Sequence, residues 1–234
     1  MKIVGKFSHR NGLDILESPR FSPAFKEFIE TLRHLPPYRA AHPKKASRKH
    51  VIAPAAMNYW LDYQLCVKRD WDWHPLIIKA DPDDPGHSSR LRSDFRKDRI
   101  EVEVQFGNVA RYAYDVYKMA ISMALGQADV GIQVVCTKKF AEITGGNIAY
   151  YERAKRELEK SRLTLIVPLV VIGIEPERWI TSGYPPEGEA PVVTAADINA
   201  ARKERGAPPV PEGGDEDESS LSVDDLVRIV ARVA

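Results

Sequence analysis

The stretch SDFRKDRIEVEVQFGN, residues 93–108, decides how the chain is read. From Ile100 to Phe106 polar and apolar residues alternate, which is the period of a strand. Glu101, Glu103 and Gln105 therefore share one face, and Val102, Val104 and Phe106 point the other way, into a core. Asp94 stands nine residues before Glu103, beyond the loop RKDR. If residues 91–95 form a neighbouring strand, Asp94 and Glu103 face each other across the pair. Two carboxylates so placed repel, and each raises the other's pKa. A divalent cation resolves that conflict. Mg²⁺ takes hard oxygen ligands in octahedral geometry, usually one or two carboxylates together with waters and phosphate oxygens. Such a cation lowers the pKa of water and stabilises charge on a scissile phosphate. The pattern alone leaves two readings open, the wet outer face of a half-buried sheet or a metal site.

Around this stretch, helices and strands alternate. SPAFKEFIETLRHL (22–35) has helical spacing, with Ser22 as the expected cap, Pro23 in the first turn, and Phe25, Phe28, Ile29 and Leu32 on one face. PPYRAAHPKKASRKH (36–50) is a proline-punctuated loop with five Lys or Arg and no acid. PAAMNYWLDYQLCVKRD (54–70) is again helical, with Trp60, Leu61, Leu65 and Lys68 on one side. HPLIIKA (74–80) is expected as a short strand, and DPDDPGHSS (81–89) as a loop. Residues 108–126 form a long helix ending at Gly126. A strand (129–138), a loop (139–146) and a helix (147–161) with charged pairs such as Glu152 with Arg156 follow. LTLIVPLVVIGI (163–174), rich in β-branched residues, is a buried strand. These elements make residues 1–183 an α/β core. Residues 185–220 read as a proline-rich, acidic linker, and 221–234 as an amphipathic helix capped by Ser222 and Asp225.

With 44% apolar residues in 234, the chain can bury a sizeable core. No apolar run approaches the roughly 20 residues of a membrane helix. The start MKIVGKFSHRNG lacks the apolar stretch of a signal peptide. Cys66 and Cys136 sit in apolar surroundings and read as free thiols. The expected setting is cytoplasmic, away from membranes. The net charge of +1 conceals a split, because residues 212–225 carry seven acids and no base. The remainder holds 34 bases against 26 acids, a body of +8 that suits a polyanion. No phosphate-cradling glycine loop or nucleophile elbow points to a small-molecule enzyme.

Asp94 followed by Glu103-Val104-Gln105 resembles the metal-site core of the PD-(D/E)xK nucleases, with glutamine in the usual place of lysine. That exchange resembles the BglII/BstYI restriction endonuclease family. DFRKDRIEVEVQFGN, YAYDVYKMA, DVGIQVV, GGNIAYYE and VPLVVIGIEP are similar to successive segments of its core in the same order, and SHRNGLDIL near the start is similar to its BstYI side. The likeness is dense over 91–176, thinner over 1–90 and absent after about 185.

The resemblance implies a restriction-endonuclease-like core, a mixed central sheet flanked by helices. It implies a type II endonuclease, a homodimer that hydrolyses double-stranded DNA at a palindromic site with a GATC core, such as RGATCY or AGATCT, using Mg²⁺. It also implies a functional pairing with a cognate DNA methyltransferase. Asp94 and Glu103 are then the metal carboxylates, with the Val104 carbonyl as a further ligand. Gln105 carries no charge and can only orient the attacking water through its amide. His74 occupies roughly the place of a water-positioning asparagine, although a histidine before a strand also has an ordinary structural reading. Base contacts are expected from Gly107 and Asn108 and from Gly145, Gly146 and Asn147. An amide at Asn108 can pair with adenine, or cap the helix that follows. Lys44, Lys45, Arg48 and Lys49 are expected on backbone phosphates, which gives position rather than specificity. Two rival readings remain, a structure-directed nuclease of the same fold and a DNA-binding protein that does not cut.

Overall fold

The computed structural model describes residues 1–37, 39–40, 51–52, 54–78, 91–144, 147–161, 165–177, 195–204, 206 and 209. Strand β1 (Lys2–His9) leads into α1 (Gly12–Glu17) and α2 (Ser22–His34). A two-stranded ribbon follows, β2 (Arg39–Ala40) with β3 (Val51–Ile52), then α3 (Pro54–Asp62), which runs on into a π-helical segment at Tyr63–Val67. Next come β4 (Asp72–Trp73), β5 (Phe95–Lys97), β6 (Ile100–Gln105) and α4 (Val109–Ala124). The core closes with β7 (Val130–Cys136), α5 (Lys138–Thr144), α6 (Tyr151–Lys160) and β8 (Leu169–Glu175), and α7 (Ala195–Glu204) lies beyond it.

Six strands form one mixed sheet in the order β1-β8-β7-β6-β5-β4. The three central strands, β6, β7 and β8, are parallel, and the outer pairings are antiparallel. Parallel neighbours need a crossover, and α4 and α6 supply the two that join β6 to β7 and β7 to β8. Strand alternation then divides the interior. Ile100, Val102, Val104, Ile132, Val134, Val170 and Ile172 pack on one face with Leu16, Phe28, Leu61 and Leu65 from the helices and with Trp71, which precedes β4. Val135, Leu169 and Val171 pack on the other face with Tyr112, Val116 and Met119 of α4 and Ala154 and Leu158 of α6. Gly131 of β7 lets α4 come close, since a Cβ there would lie 2.5 Å from the sulfur of Met119.

Several local expectations change. Ser22 is the first helical residue of α2, so Phe21 takes the cap position without a side-chain bond. The strand expected at 74–80 is instead β4, because Asp72 and Trp73 pair with Arg96 and Phe95, and His74 turns the chain at φ 44°. Beyond it, Leu76 and Arg92 form a single bridge. The loop expected over 139–146 is helical as far as Thr144, because Phe140 and Ala141 are buried in the first core. In α6 the spaced ion pairs are Arg153–Glu157 and Lys155–Glu159, while Glu152 accepts the backbone N–H of Lys138. Lys68 is exposed and lies over the Tyr63 ring rather than on the buried side of Leu61 and Leu65. Within the expected linker, α7 buries Ile198 and sets Arg202 against Asp72 at 3.3 Å. The expected C-terminal helix lies outside the described residues.

The end of α4 follows the sequence. Gly126 has φ 68°, its N–H bonds Met123, and Gln127 bonds Ser122, which is the two-bond glycine stop of a Schellman motif. Both cysteines are free and buried. Among the described residues no helix is long and apolar enough to cross a membrane.

Candidate active site

The polar face of β6 is not wet. Glu101 and Glu103 are 0% and 1% exposed, because α4 lies over them. Three polar residues of α4, Asp115, Lys118 and Ser122, are also buried. Their spacing of three and four places them on one side of the helix. Each meets the strand. Ser122 donates to Glu101 Oε2 at 2.8 Å, Lys118 Nζ donates to Glu103 Oε2 at 2.8 Å, and Gln105 donates its amide N–H to Asp115 Oδ2 at 3.1 Å. Arg96 of β5 closes one end of this seam on Glu101 at 2.8 Å. Gln133 of β7 donates to Asp115 at 3.3 Å. The period-two acids of the opening stretch therefore build a buried polar layer between strand and helix.

At the C-terminal end of β6 this layer opens into a cleft of about 220 Å³. Asp94, Glu103, Val104, Gln105, Gly107, Asp115 and Lys118 line it, together with Asn58 of α3 and Arg111 and Tyr114 of α4. Clefts of this kind commonly lie at the carboxyl ends of parallel strands. The β5–β6 register pairs Phe95 with Val102, so Asp94 comes to the level of Glu103. Asp94 Oδ2 accepts the backbone N–H of Val104 at 2.7 Å. Burial pushes the Glu103 carboxyl well above its usual range. Lys118 opposes that rise, and the charges of Asp94 and Asp115 add to it. Asp115 is raised by the same burial, against the pull of Lys118.

The donor set fits a small hard cation. Glu103 Oε1 is buried with no hydrogen-bond partner, on a residue that lines the cleft. Glu101 Oε1 is similarly placed, but Glu101 does not line the cleft. Among the described residues no group of three or more His, Cys, Asp or Glu side chains could by itself hold a metal ion. A site of two carboxylates suits Mg²⁺, which keeps several waters, better than an ion that requires a full protein cage.

The other expected residues fall into place unevenly. Gln105 is braced, since its Oε1 accepts the N–H of Gly107 at 2.9 Å while its amide nitrogen serves Asp115. Asn108 caps α4, accepting from the N–H of Ala110 at 2.9 Å. The turns at 107–108 and 147 are brought together. Val109 donates to the Asn147 carbonyl, Ala149 to that of Gly107, and the Asn147 amide to Asn108 Oδ1 at 3.1 Å. Asn147 holds φ 62°, a conformation asparagine tolerates better than most residues. His74 bonds the Asp94 carbonyl through its own backbone N–H, and its ring sits edge-on to Trp73 at 4.8 Å. It is not among the residues lining the cleft. Lys44, Lys45, Arg48, Lys49, Gly145 and Gly146 lie outside the described residues.

Sequence reasoning missed four groups. Lys118 and Asp115 were hidden inside a helical stretch whose polar positions acquire meaning only once the facing strand is known to be polar. Arg111 is an exposed cation on the cleft wall. Asp62, where α3 passes into the π-helical turn, is driven up to about 8 by burial and by the charge of Asp94, with the Trp73 indole opposing.

The family comparisons agree with this geometry. The chain matches the family model described as restriction endonuclease BglII/BglIII over residues 4–174. Among solved structures, the crystal structure of restriction endonuclease BglII complexed with a DNA 16-mer is similar at a TM-score of 0.58 and 23% identity, covering 76% of this chain and 79% of that one. The crystal structure of free BglII is similar at 0.54 and 23%, covering 76% and 81%. At that identity the likeness speaks for the fold, a mixed sheet with flanking helices of the PD-(D/E)xK type. No curated protein matches the sequence. The family model spans well over half the chain, and on that match the chain belongs to the BglII/BglIII restriction endonuclease family.

Proposed function

We propose that the protein is a type II endonuclease that hydrolyses double-stranded DNA at a palindromic site, with Mg²⁺ held by Asp94, Glu103 and the Val104 carbonyl. The observation that carries this reading is the buried, unpartnered Oε1 of Glu103 in a cleft it shares with Asp94. Mg²⁺, when bound, supplies a lowered pKa for water and a counter-charge for the scissile phosphate. The chain's own residues do the rest. Lys118 and Val104 fix the two carboxylates through one oxygen each. Gln105 steadies the site by joining Asp115 to the Gly107 turn, and an amide can orient a water but cannot take its proton. Arg111 offers a charge to the DNA backbone at the cleft wall. Gly107, Asn108 and Asn147, joined by hydrogen bonds, are the residues proposed to read base edges, and Asn108 can serve both base and helix. Lys44, Lys45, Arg48 and Lys49 are proposed on phosphates. The active form is a homodimer, since two-fold symmetry mirrors a palindrome. A GATC core in the site and a partner methyltransferase belong to the same proposal.

Incubation of the protein with a sequenced plasmid and Mg²⁺, with EDTA as control, tests this. Discrete fragments, lost with EDTA, are the expected outcome. A smear would move the reading to structure-directed cleavage, and intact plasmid bound equally with and without Mg²⁺ would move it to binding alone.

Metal affinity should depend on pH. The Glu103 carboxyl titrates well above its ordinary 4.5, so below the raised value a proton competes with the cation. Affinity for Mg²⁺ should climb about tenfold per pH unit for one displaced proton, then level off above the raised value. The linked effect on stability has the opposite direction. A carboxyl that holds its proton more tightly when folded stabilises the metal-free fold at low pH, and this is lost as pH rises from 4.5 towards the raised value. Calorimetric Mg²⁺ titrations stepped upward from pH 4.5 that gave one flat affinity throughout would contradict the assignment of Glu103 as ligand.

A further inference from the structure

Glu103 is held asymmetrically. Its Oε2 is taken by Lys118 at 2.8 Å, in a pair whose side chains are each 2% exposed, and its Oε1 faces no partner. The amine is itself anchored. Asp115 Oδ1 lies 3.4 Å away, and the Tyr114 ring centroid lies 5.8 Å from it. Asp115 is tied in turn by the amides of Gln105 and Gln133. Asp94 has a similar constraint, with one oxygen given to the Val104 N–H. The two carboxylates proposed as ligands therefore each have at least one oxygen engaged by the protein.

Coordination chemistry gives this a consequence. Ca²⁺ reaches six to eight oxygens at 2.3–2.6 Å and commonly takes carboxylates through both oxygens, whereas Mg²⁺ wants six near-ideal positions at 2.0–2.1 Å. A carboxylate that can offer only one oxygen serves the second ion and handicaps the first. We infer that Lys118 is a positioning residue that confines Glu103 to single-oxygen ligation and so makes the site selective for a Mg²⁺-sized cation over Ca²⁺. The inference rests on the metal-site reading above. It gives the lysine a task that Gln105, which is uncharged and already bonded on both sides, does not perform.

The test is cation binding, not cleavage. Mg²⁺ and Ca²⁺ are titrated calorimetrically into the full chain, its Lys118→Met and Lys118→Arg variants, and Glu103→Gln as a marker of the site. Releasing Oε2 should shift the Ca²⁺ to Mg²⁺ affinity ratio about tenfold towards Ca²⁺, whichever way the lost charge moves both affinities together. Lys118→Arg, which still donates to Oε2, should return the wild-type ratio. An equal change for both cations would mean that Lys118 acts only through its charge, and the inference would fail with the metal site intact. Unchanged binding of both would reduce Lys118 to a structural role. Wild-type protein with no binding that Glu103→Gln abolishes would remove the metal-site reading itself, and this inference with it. If Lys118→Met does not fold, Asp115→Asn loosens the amine while keeping it. The Ca²⁺ to Mg²⁺ ratio should then move in the same direction, and a ratio that stays fixed overturns the inference.

Discussion

Glu103→Gln protein should fold, hold duplex DNA, and leave both strands uncut. The glutamine keeps an oxygen for Lys118 but loses the charge proposed to bind Mg²⁺. A metal supplies several kcal/mol of transition-state stabilisation, so cleavage should fall by about 10³-fold or more. DNA affinity should hold or rise, because a negative charge has left the surface that faces phosphates. Single-turnover digestion together with a gel-shift titration separates the two effects. Residual cleavage within tenfold of wild type would refute the role of Glu103, and loss of DNA binding alongside cleavage would point to a damaged fold.

The second large effect concerns stability. Arg96 is the ion-pair partner of Glu101, a carboxylate that is fully buried and also receives the Ser122 hydroxyl. Arg96→Met leaves that charge in the interior with only a hydroxyl to meet it. Breaking a buried pair from one side costs about 3–5 kcal/mol, so the midpoint of urea denaturation should drop steeply. The exposed pair Arg153–Glu157 supplies the contrast, since Arg153→Ala should barely move the midpoint. Cleavage per folded molecule should survive in Arg96→Met, because Arg96 does not line the cleft. A midpoint unchanged from wild type would mean that water reaches Glu101 and that the layer under α4 is not sealed.

The outlines of the sheet were legible because β6, β7 and β8 carry strong alternation or continuous β-branched runs, and because Gly126 marks the end of α4 plainly. Asp94 and Glu103 were legible from their spacing. What hid was whatever depends on a second element. Whether Glu101 and Glu103 face water or protein is decided by Asp115, Lys118 and Ser122, which the strand sequence does not contain. The stretch 139–146 reads as a loop in sequence, yet Phe140 and Ala141 have core to cover and make α5. His74 and its neighbours look strand-forming, but pairing to β5 is satisfied two residues earlier, at Asp72 and Trp73. Asp62 drew no attention, since its setting arises only when α3 packs beside the sheet.

The joining of the 107–109 turn to 147–149 carries a consequence for how such a protein changes its target. Two segments some forty residues apart share three backbone or amide bonds, so their conformations are coupled. On the proposed reading, an exchange at Asn108 alone also disturbs the support under Asn147, and a beneficial change in one turn depends on the state of the other. Drift between related target sites would then advance by coordinated replacement of both turns, and single steps would pass through intermediates that read neither site well.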